Sequence, residues 1–412
     1  MRIGIFSDTY YPHINGVSTS IKMLEEELIK KGHKVYIVTV NPDSMRYKYE
    51  DDGRIIRIPG IPTGIYDYRL TSTYSFKAFN KIKEWNLDVI HTQTEFGIGT
   101  FARVLGKQLG IPVVHTYHTM YEDYVYYITK GHFDTSSKKL VEYITKFTCD
   151  KTIKELIVPT KKTYTLFKDK YKFDRNVHII PTGINVENFY KETVDLNKVK
   201  SLKKQLNIKE KDKILLFLGR VAKEKNIDFL IENQIEILKK HPNCKLMIVG
   251  DGPDLDEYKE LTKKFNISNS VIFVGKVPWT DTKLYYNIAD IFVTASVTET
   301  QGLTVVEAMA ASLPVVAIND ESFNTTVIDD LTGYLFETKD EYISLVNKLL
   351  ANDELSKNMG NQGRINSLAY SSSFFADRVL EVYKMAIDNN SDLDKSLVGR
   401  VKDIFVRGIH GE

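Results

Sequence analysis

Short apolar runs alternate with longer amphipathic ones along the whole chain. In the first half, residues 2–7, 34–39, 88–92, 113–118, 156–159 and 177–181 read as strands, and 18–31, 73–84 and 99–109 carry apolar residues at helical spacing. Strands that are apolar almost throughout, rather than on alternate residues, belong to a parallel sheet covered by helices on both faces. A second series of such strands runs through 213–219, 245–250, 271–275, 291–295, 314–318 and 333–336. The fold class expected is α/β: two doubly wound domains, 1–184 and 185–374, facing each other across a cleft. Between the two series lie Pro181-Thr182-Gly183-Ile184-Asn185 and a charged, irregular stretch to Lys211, where the hinge is expected. Ligands of such sheets bind at strand C-termini, so both walls of the cleft are candidate sites.

Composition narrows the class. The chain has 412 residues, too many for one ordinary core, and 42% hydrophobic with 27% charged residues is typical of a globular protein. The formal net charge of +2 gives no reason to expect nucleic acid as a partner. Cys149 and Cys244 lie far apart without metal-ligand spacing, which favours a reducing cytoplasm. The opening apolar run is too short for a signal peptide, and no stretch is long enough to span a bilayer. Contact with a membrane, if any, would be peripheral.

The run from Thr298 to Met309 follows an apolar strand and enters a helix. A helix N-terminus offers unpaired N–H groups and partial positive charge, a seat for an anion or for hydroxyls. Glu299 stands before that seat and Glu307 on the second turn, while Gly302 permits close backbone approach. A solvated helix start with incidental acids is the alternative. Arg220 and Lys225 follow the first strand of the second half; a guanidinium fork and a mobile ammonium together suit a diphosphate. The Asp8–Ser18 loop joins a strand to a helix through Asn15-Gly16, and Gly250-Asp251-Gly252-Pro253 makes a similar turn. Neither has the three-glycine spacing of a dinucleotide site, which disfavours an NAD-dependent oxidoreductase. His115 and His118 close a strand; alternation sends them different ways, with His118 looking into the cleft. No histidine–carboxylate cluster has metal-ligand spacing.

Glu299 and Glu307 with seven residues between them, in order with Gly16, His118, Arg220 and Lys225, resemble the signature of retaining glycosyltransferases of family 4. These have the GT-B architecture, two Rossmann-like domains across a cleft. The resemblance spans nearly the whole chain. It implies that Arg220 and Lys225 hold the diphosphate of a nucleotide-sugar and that Glu307 binds ribose hydroxyls. Glu299 and the backbone of Gln301, Gly302, Leu303 and Thr304 would contact the transferred sugar, and His118 would lie near the reacting centre. Gly16 would approach the phosphate from the facing domain, with Gly252 also at the donor. Gln301 and Thr304 replace residues commonly aromatic and aliphatic. The resemblance also implies that the last helix, 375–412, crosses back onto the N-terminal domain. Residues 8–20, 92–97 and 117–124 are similar to the diacylglycerol α-glucosyltransferases of Gram-positive bacteria and their wall-less relatives. That similarity implies UDP-glucose as donor and diacylglycerol as acceptor. It also implies a front-face mechanism at the inner face of the cell membrane. A requirement for Mg2+ is left open, as no dedicated site is evident.

One feature of charge bears on a lipid acceptor. Residues 136–172 hold ten lysines against four acids, a local +6. Leu140, Tyr143, Ile144, Phe147, Tyr164 and Phe167 are interleaved with those lysines, so an anionic membrane surface is an expected partner. Two ordinary solvated helices are the alternative. The tyrosines at 117, 121, 124, 126 and 127 line either an acceptor entrance or a loop core. Leu397, Val401, Ile404 and Phe405 repeat at helical spacing in the tail, where packing is expected. Two other readings stay open: the same donor chemistry on another glycolipid, phosphatidylinositol or a soluble sugar, and a non-catalytic nucleotide-sugar-binding protein. No protein partner is evident.

Overall fold

The computed structural model describes residues 1–13, 15–62, 69–72, 74–118, 139, 142 and 152–409, with side chains to residue 390. The N-terminal sheet contains β1 (Arg2–Ser7), β2 (Lys34–Val40), β3 (Lys48–Glu50) and β4 (Ile55–Ile58). A two-residue ribbon, β5 (Ile61–Pro62) with β6 (Arg69–Leu70), stands apart. The sheet continues with β7 (Val89–Thr92), β8 (Val113–Thr116), β9 (Glu155–Val158) and β10 (Asn176–Ile179). Its strand order is β10-β9-β8-β7-β1-β2-β4-β3, and only the edge strand β3 is antiparallel.

The second sheet is wholly parallel, from β11 (Lys213–Leu218) through β12 (Cys244–Val249), β13 (Val271–Gly275), β14 (Ile291–Thr294) and β15 (Val315–Ile318) to β16 (Gly333–Phe336). Its order, β13-β12-β11-β14-β15-β16, reverses between β11 and β14. That reversal opens a crevice above the strand C-termini. Strands β11, β12, β14 and β15 are buried along most or all of their length, as near-continuous apolar runs require.

The structure departs from the sequence reading in several places. The first helix runs Gly16–Lys30, two residues earlier than expected. Asn15 caps it, and a reciprocal bond with Ser18 completes a capping box. The strand expected to reach His118 stops at Thr116. Strands β3 and β4 went unread because each is short and charged residues interrupt them; Arg57 inside β4 pairs with Glu50 of β3 at 3.0 Å. The stretch from 186 to 211 is not irregular: two 3-10 turns lead to a helix over Leu196–Gln205, capped by Asp195.

The last helix, Ser372–Ile409, leaves the C-terminal domain beside the hinge. There Ile184 bonds the backbone of Tyr370 and Ser372 at 2.9 Å each. Phe375, Ala376, Val379, Leu380, Val382, Tyr383 and Ala386 then pack into the N-terminal core with Ile3, Ile5, Leu24 and Val114. Among the described residues no helix is long and apolar enough to cross a membrane.

Candidate active site

The C-terminal wall is built where β11, β12 and β14 end side by side. After β11, Arg220 reaches Glu224 at 3.6 Å, and Lys223–Lys225 form a 3-10 turn. Lys225 Nζ lies 2.5 Å from Glu299 Oε1 in the loop after β14, both side chains partly exposed. Thr298 Oγ1 donates to the Glu224 carbonyl at 3.2 Å, so the two loops are stitched together. Gly252, after β12, lies so near Val221 that an added Cβ would sit 2.2 Å from its carbonyl oxygen. This tight turn keeps the Gly250–Pro253 loop against the strand that carries Arg220.

Gly302 has φ of 73° and caps the helix Leu303–Ala310. A side chain there would be strained by that backbone and would strike the Phe323 ring, 2.4 Å from an added Cβ. Leu303 and Thr304, half-buried in the first turn, carry N–H groups without acceptors inside the helix. Glu307 is buried. Its Oε2 accepts from the Tyr286 hydroxyl at 2.7 Å and its Oε1 from Trp279 Nε1 at 3.3 Å. Burial pushes its carboxyl up to about 7, although both bonds act to lower it. The Gln301 side chain does not enter this pocket. Its amide accepts from Thr182 N at 2.8 Å and donates to Thr182 O at 3.0 Å.

The N-terminal wall has a different character. Gly16 is the first helical residue after the β1 loop, and an added Cβ there would meet nothing within 4 Å. Behind it Asp8 accepts from the Ile98 N–H at 3.0 Å and the Thr94 hydroxyl at 2.6 Å; burial raises its carboxyl pKa. His118 Nε2 lies 2.6 Å from Gln93 Oε1, which can only accept, so the proton is on Nε2. The Gln93 amide nitrogen sits 3.1 Å from the His91 ring nitrogens. His91 in turn meets Thr116 Oγ1 and the Tyr383 hydroxyl, each at 2.7 Å. Desolvation lowers the His118 pKa to about 4 and that of His91 well below its ordinary value. His115 points elsewhere, to Thr92 Oγ1 at 2.6 Å and Glu95 Oε1 at 3.2 Å.

The structure thus joins the loops that carry Arg220, Lys225, Glu299 and Gly252, and the Glu299 loop leads directly into the Leu303–Ala310 helix that bears Glu307. Among the described residues, the hydrogen bonds of His118 stay within its own domain. Nor is any group of three His, Cys, Asp or Glu side chains among them placed to hold a metal ion.

Residues 14–188 match Glycosyltransferase Family 4, and residues 198–366 match Glycosyl transferases group 1. An alpha-monoglucosyldiacylglycerol synthase of Streptococcus pneumoniae is 38% identical over 95% of this chain and 87% of its own. One from Acholeplasma laidlawii is 37% identical over 96% of this chain and 100% of its own. The chain belongs to glycosyltransferase family 4. Its GT-B fold is shared with a sucrose-phosphate synthase of Thermosynechococcus elongatus (TM-score 0.71, 20% identity, covering 94% of this chain and 99% of that one). An Anabaena protein, HepE, in complex with UDP and glucose superposes with a TM-score of 0.67 at 15% identity, covering 93% and 100%.

Within this glycosyltransferase, sequence reasoning missed Trp279, Tyr286, Gln93, His91 and Thr182. Trp279, one of only two tryptophans, follows a proline just past β13, a usable signal. The bonds of Gln93 and Thr182 depend on strands brought together by the fold and leave no local trace. Several expectations for the basic segment are corrected. Phe167 is core rather than surface, packed edge-on against Tyr117 at 4.9 Å, which is itself fully buried. Lys162 turns toward the other domain, and Lys168 is tied to the carbonyls of Phe173 and Arg175. Lys161, Lys170 and Lys172 remain exposed. The tyrosines at 121, 124, 126 and 127, Leu140, Tyr143, Ile144, Phe147 and Cys149 lie outside the described residues, as do the side chains of Leu397, Val401, Ile404 and Phe405.

Proposed function

We propose that this glycosyltransferase moves glucose from UDP-glucose to the free hydroxyl of diacylglycerol, with retention of the α configuration, at an anionic membrane surface. The observation that carries the reading is near-full-length identity of 37–38% to two proteins named for making that glycolipid. The geometry supports the donor half. Arg220 and Lys225 flank the crevice where a diphosphate would lie, and Lys225 already holds an anionic partner in Glu299. With donor bound, the ammonium pairs with phosphate and Glu299 is released toward sugar hydroxyls. Glu307, desolvated between Trp279 and Tyr286, accepts from ribose hydroxyls. The N–H groups of the Gly302–Thr304 turn, with Gln301 behind them, face the sugar.

In this reading residues 1–184 carry the acceptor and membrane side, and 185–374 the donor. Gly16 leaves room for the phosphate to approach the first helix. His118 presents a neutral imidazole near the reacting carbon. The bond between sugar C1 and the phosphate oxygen breaks as the acceptor oxygen bonds C1 on the same face. The hydroxyl proton passes to the departing phosphate, whose charge Arg220 and Lys225 stabilise. The exposed Lys161, Lys170 and Lys172, on the inner face of the cell membrane, would each contribute about 1 kcal/mol near anionic lipid.

The deciding experiment is transfer of labelled glucose from UDP-glucose to diacylglycerol in mixed micelles with an anionic lipid. A single α-linked glucolipid is expected. Absence of product while UDP still binds would overturn the acceptor and keep the donor site.

A further inference from the structure

The loop between β14 and the Leu303–Ala310 helix is held from both domains. Its own domain supplies the bonds to Thr298 and Glu299 already described. The facing domain supplies four more, to three residues of the loop. Lys162 Nζ donates to the Val297 carbonyl at 3.3 Å, Thr160 Oγ1 donates to the Thr300 carbonyl at 3.1 Å, and the Thr182 backbone closes a two-bond ring with Gln301. Each of the five consecutive residues from Val297 to Gln301 is therefore tethered, three of them by the other domain. Lys162 also reaches both oxygens of Asp320 at 3.3 Å, with both side chains less than a fifth exposed. Asp320 in turn accepts from Ser322, which precedes the phenylalanine that packs under Gly302.

The bonds from Lys162 and Thr160 to Val297 and Thr300 end on main-chain carbonyl oxygens of the loop, and that has a mechanical consequence. A donor fixed to a carbonyl orients the whole peptide plane, and hence the next residue's N–H on its opposite edge. Thr160, by holding the Thr300 carbonyl, orients the peptide whose N–H belongs to Gln301; Lys162 does the same for Thr298. Fixed N–H groups are those that bind hydroxyls with least reorganisation. We propose that Thr160 and Lys162 of the N-terminal domain are positioning residues for the sugar-binding loop of the C-terminal domain. The proposal rests on the reading that this loop holds the transferred sugar while Arg220, Lys225 and Glu307 hold the nucleotide.

The two roles separate by ligand. Binding of UDP uses the nucleotide residues alone, whereas UDP-glucose also needs the loop. Lys162→Met and Thr160→Val are expected to weaken UDP-glucose binding about five- to tenfold in calorimetry and to lower kcat, with UDP affinity unchanged within about twofold. Lys162→Arg and Thr160→Ser, which keep the donors, should restore discrimination. Thr160 also caps the short helix Lys161–Thr165, so its valine variant risks local unfolding. Lys162 caps nothing, and its methionine variant stands as the independent arm. Equal loss of UDP and UDP-glucose affinity, or no loss of either, would overturn the positioning role. Wild-type protein that bound neither nucleotide would overturn the donor reading itself, and this inference with it.

Discussion

The two walls of the cleft solve the same problem, holding polar groups over a strand C-terminus, by opposite means. The C-terminal wall is ionic: Arg220 and Lys225 pair with Glu224 and Glu299, carboxylates that a bound anion can replace. The N-terminal wall is neutral: His118, Gln93 and His91 satisfy one another in a hydrogen-bonded chain that burial keeps uncharged. A partly exposed ion pair is easily exchanged, because water screens it and its net contribution is small. A buried neutral network is costly to open, since each freed group keeps its desolvation penalty. The ionic wall is suited to a ligand that arrives and leaves carrying charge, the neutral wall to fixing an orientation beside the reacting centre.

The largest expected effect tests the ionic wall. Lys225→Ala should lower kcat/KM for glucosyl transfer by roughly 100-fold or more, because a charge-assisted bond that strengthens as the phosphate leaves is lost. Turnover within a few-fold of wild type would place the diphosphate elsewhere and erase the contrast between the walls.

Glu307 sharpens the contrast, being the one carboxyl of the ionic wall that is fully desolvated. With its pKa at about 7, it is protonated below neutrality and then cannot accept from both ribose hydroxyls. UDP affinity should therefore fall as pH drops below 7, by up to about tenfold per unit, and Glu307→Gln should flatten that dependence. Stability runs the other way. A folded pKa raised from 4.5 to about 7 means the folded protein keeps a proton that the unfolded chain loses. The resulting penalty is absent below about pH 4.5, grows as pH rises, and is complete above 7, where it amounts to at most about 3 kcal/mol. Glu307→Gln should thus raise the melting temperature at pH 8 by a few degrees and lose most of that gain by pH 5. A variant less stable at pH 8 would mean the carboxylate is better solvated than its burial indicates.

The neutral wall is tested by giving it a charge. Gln93→Glu would set a carboxylate against His118 Nε2–H and raise the imidazole pKa, adding to the upward pull of Glu95 and opposing the downward push of burial and His115. Wild-type activity should show no limb from His118 between pH 5 and 8. The variant should gain an acid limb in that range, with a two- to tenfold loss at pH 6 and less at pH 8. A pH profile that does not move would show that the neutral imidazole is not what the wall preserves.

How much of this was legible in the sequence follows from the range of the forces involved. Strand positions were readable because burial on both faces makes each run apolar on its own, as in β11 and β14. Lys225, Glu299 and Glu307 stand out as candidates because strand–loop–helix transitions are local and the residue types are chemically distinctive. The partners of those residues were not readable. Trp279 meets Glu307 only because β13 and the Leu303–Ala310 helix converge in the fold, and Gln93 meets His118 only because β7 and β8 are neighbours. Amphipathic spacing also misled at Phe167, since a short segment interleaving lysine with aromatics fits a core-facing turn as well as a membrane-facing one. Gln301 was legible as a departure from the usual aromatic, but not in its consequence, because its two bonds go to backbone 119 positions away.

The smallest expected effect concerns the far end of the neutral chain. The Tyr383 hydroxyl, on the helix that crosses back from the C-terminal domain, bonds His91 Nδ1, and the ring also packs edge-on against the imidazole at 5.4 Å. Tyr383→Phe keeps the ring contact and removes only the oxygen, leaving His91 Nδ1 with the longer 3.1 Å approach of the Gln93 amide in place of a 2.7 Å bond. Losing one buried hydrogen bond costs about 0.5–1.5 kcal/mol, so a modest fall in melting temperature is expected. The loss must pass through Gln93 before it reaches His118, and packed neighbours absorb part of it, so kcat should fall only about two- to threefold. UDP affinity should not change, because the bonds that join His118, Gln93, His91, Thr116 and Tyr383 run within the N-terminal sheet and the last helix. That invariance is the sensitive readout. If the missing hydroxyl weakened UDP binding while sparing kcat, the C-terminal helix would be coupling the two walls, and their apparent division of labour would be one network instead of two.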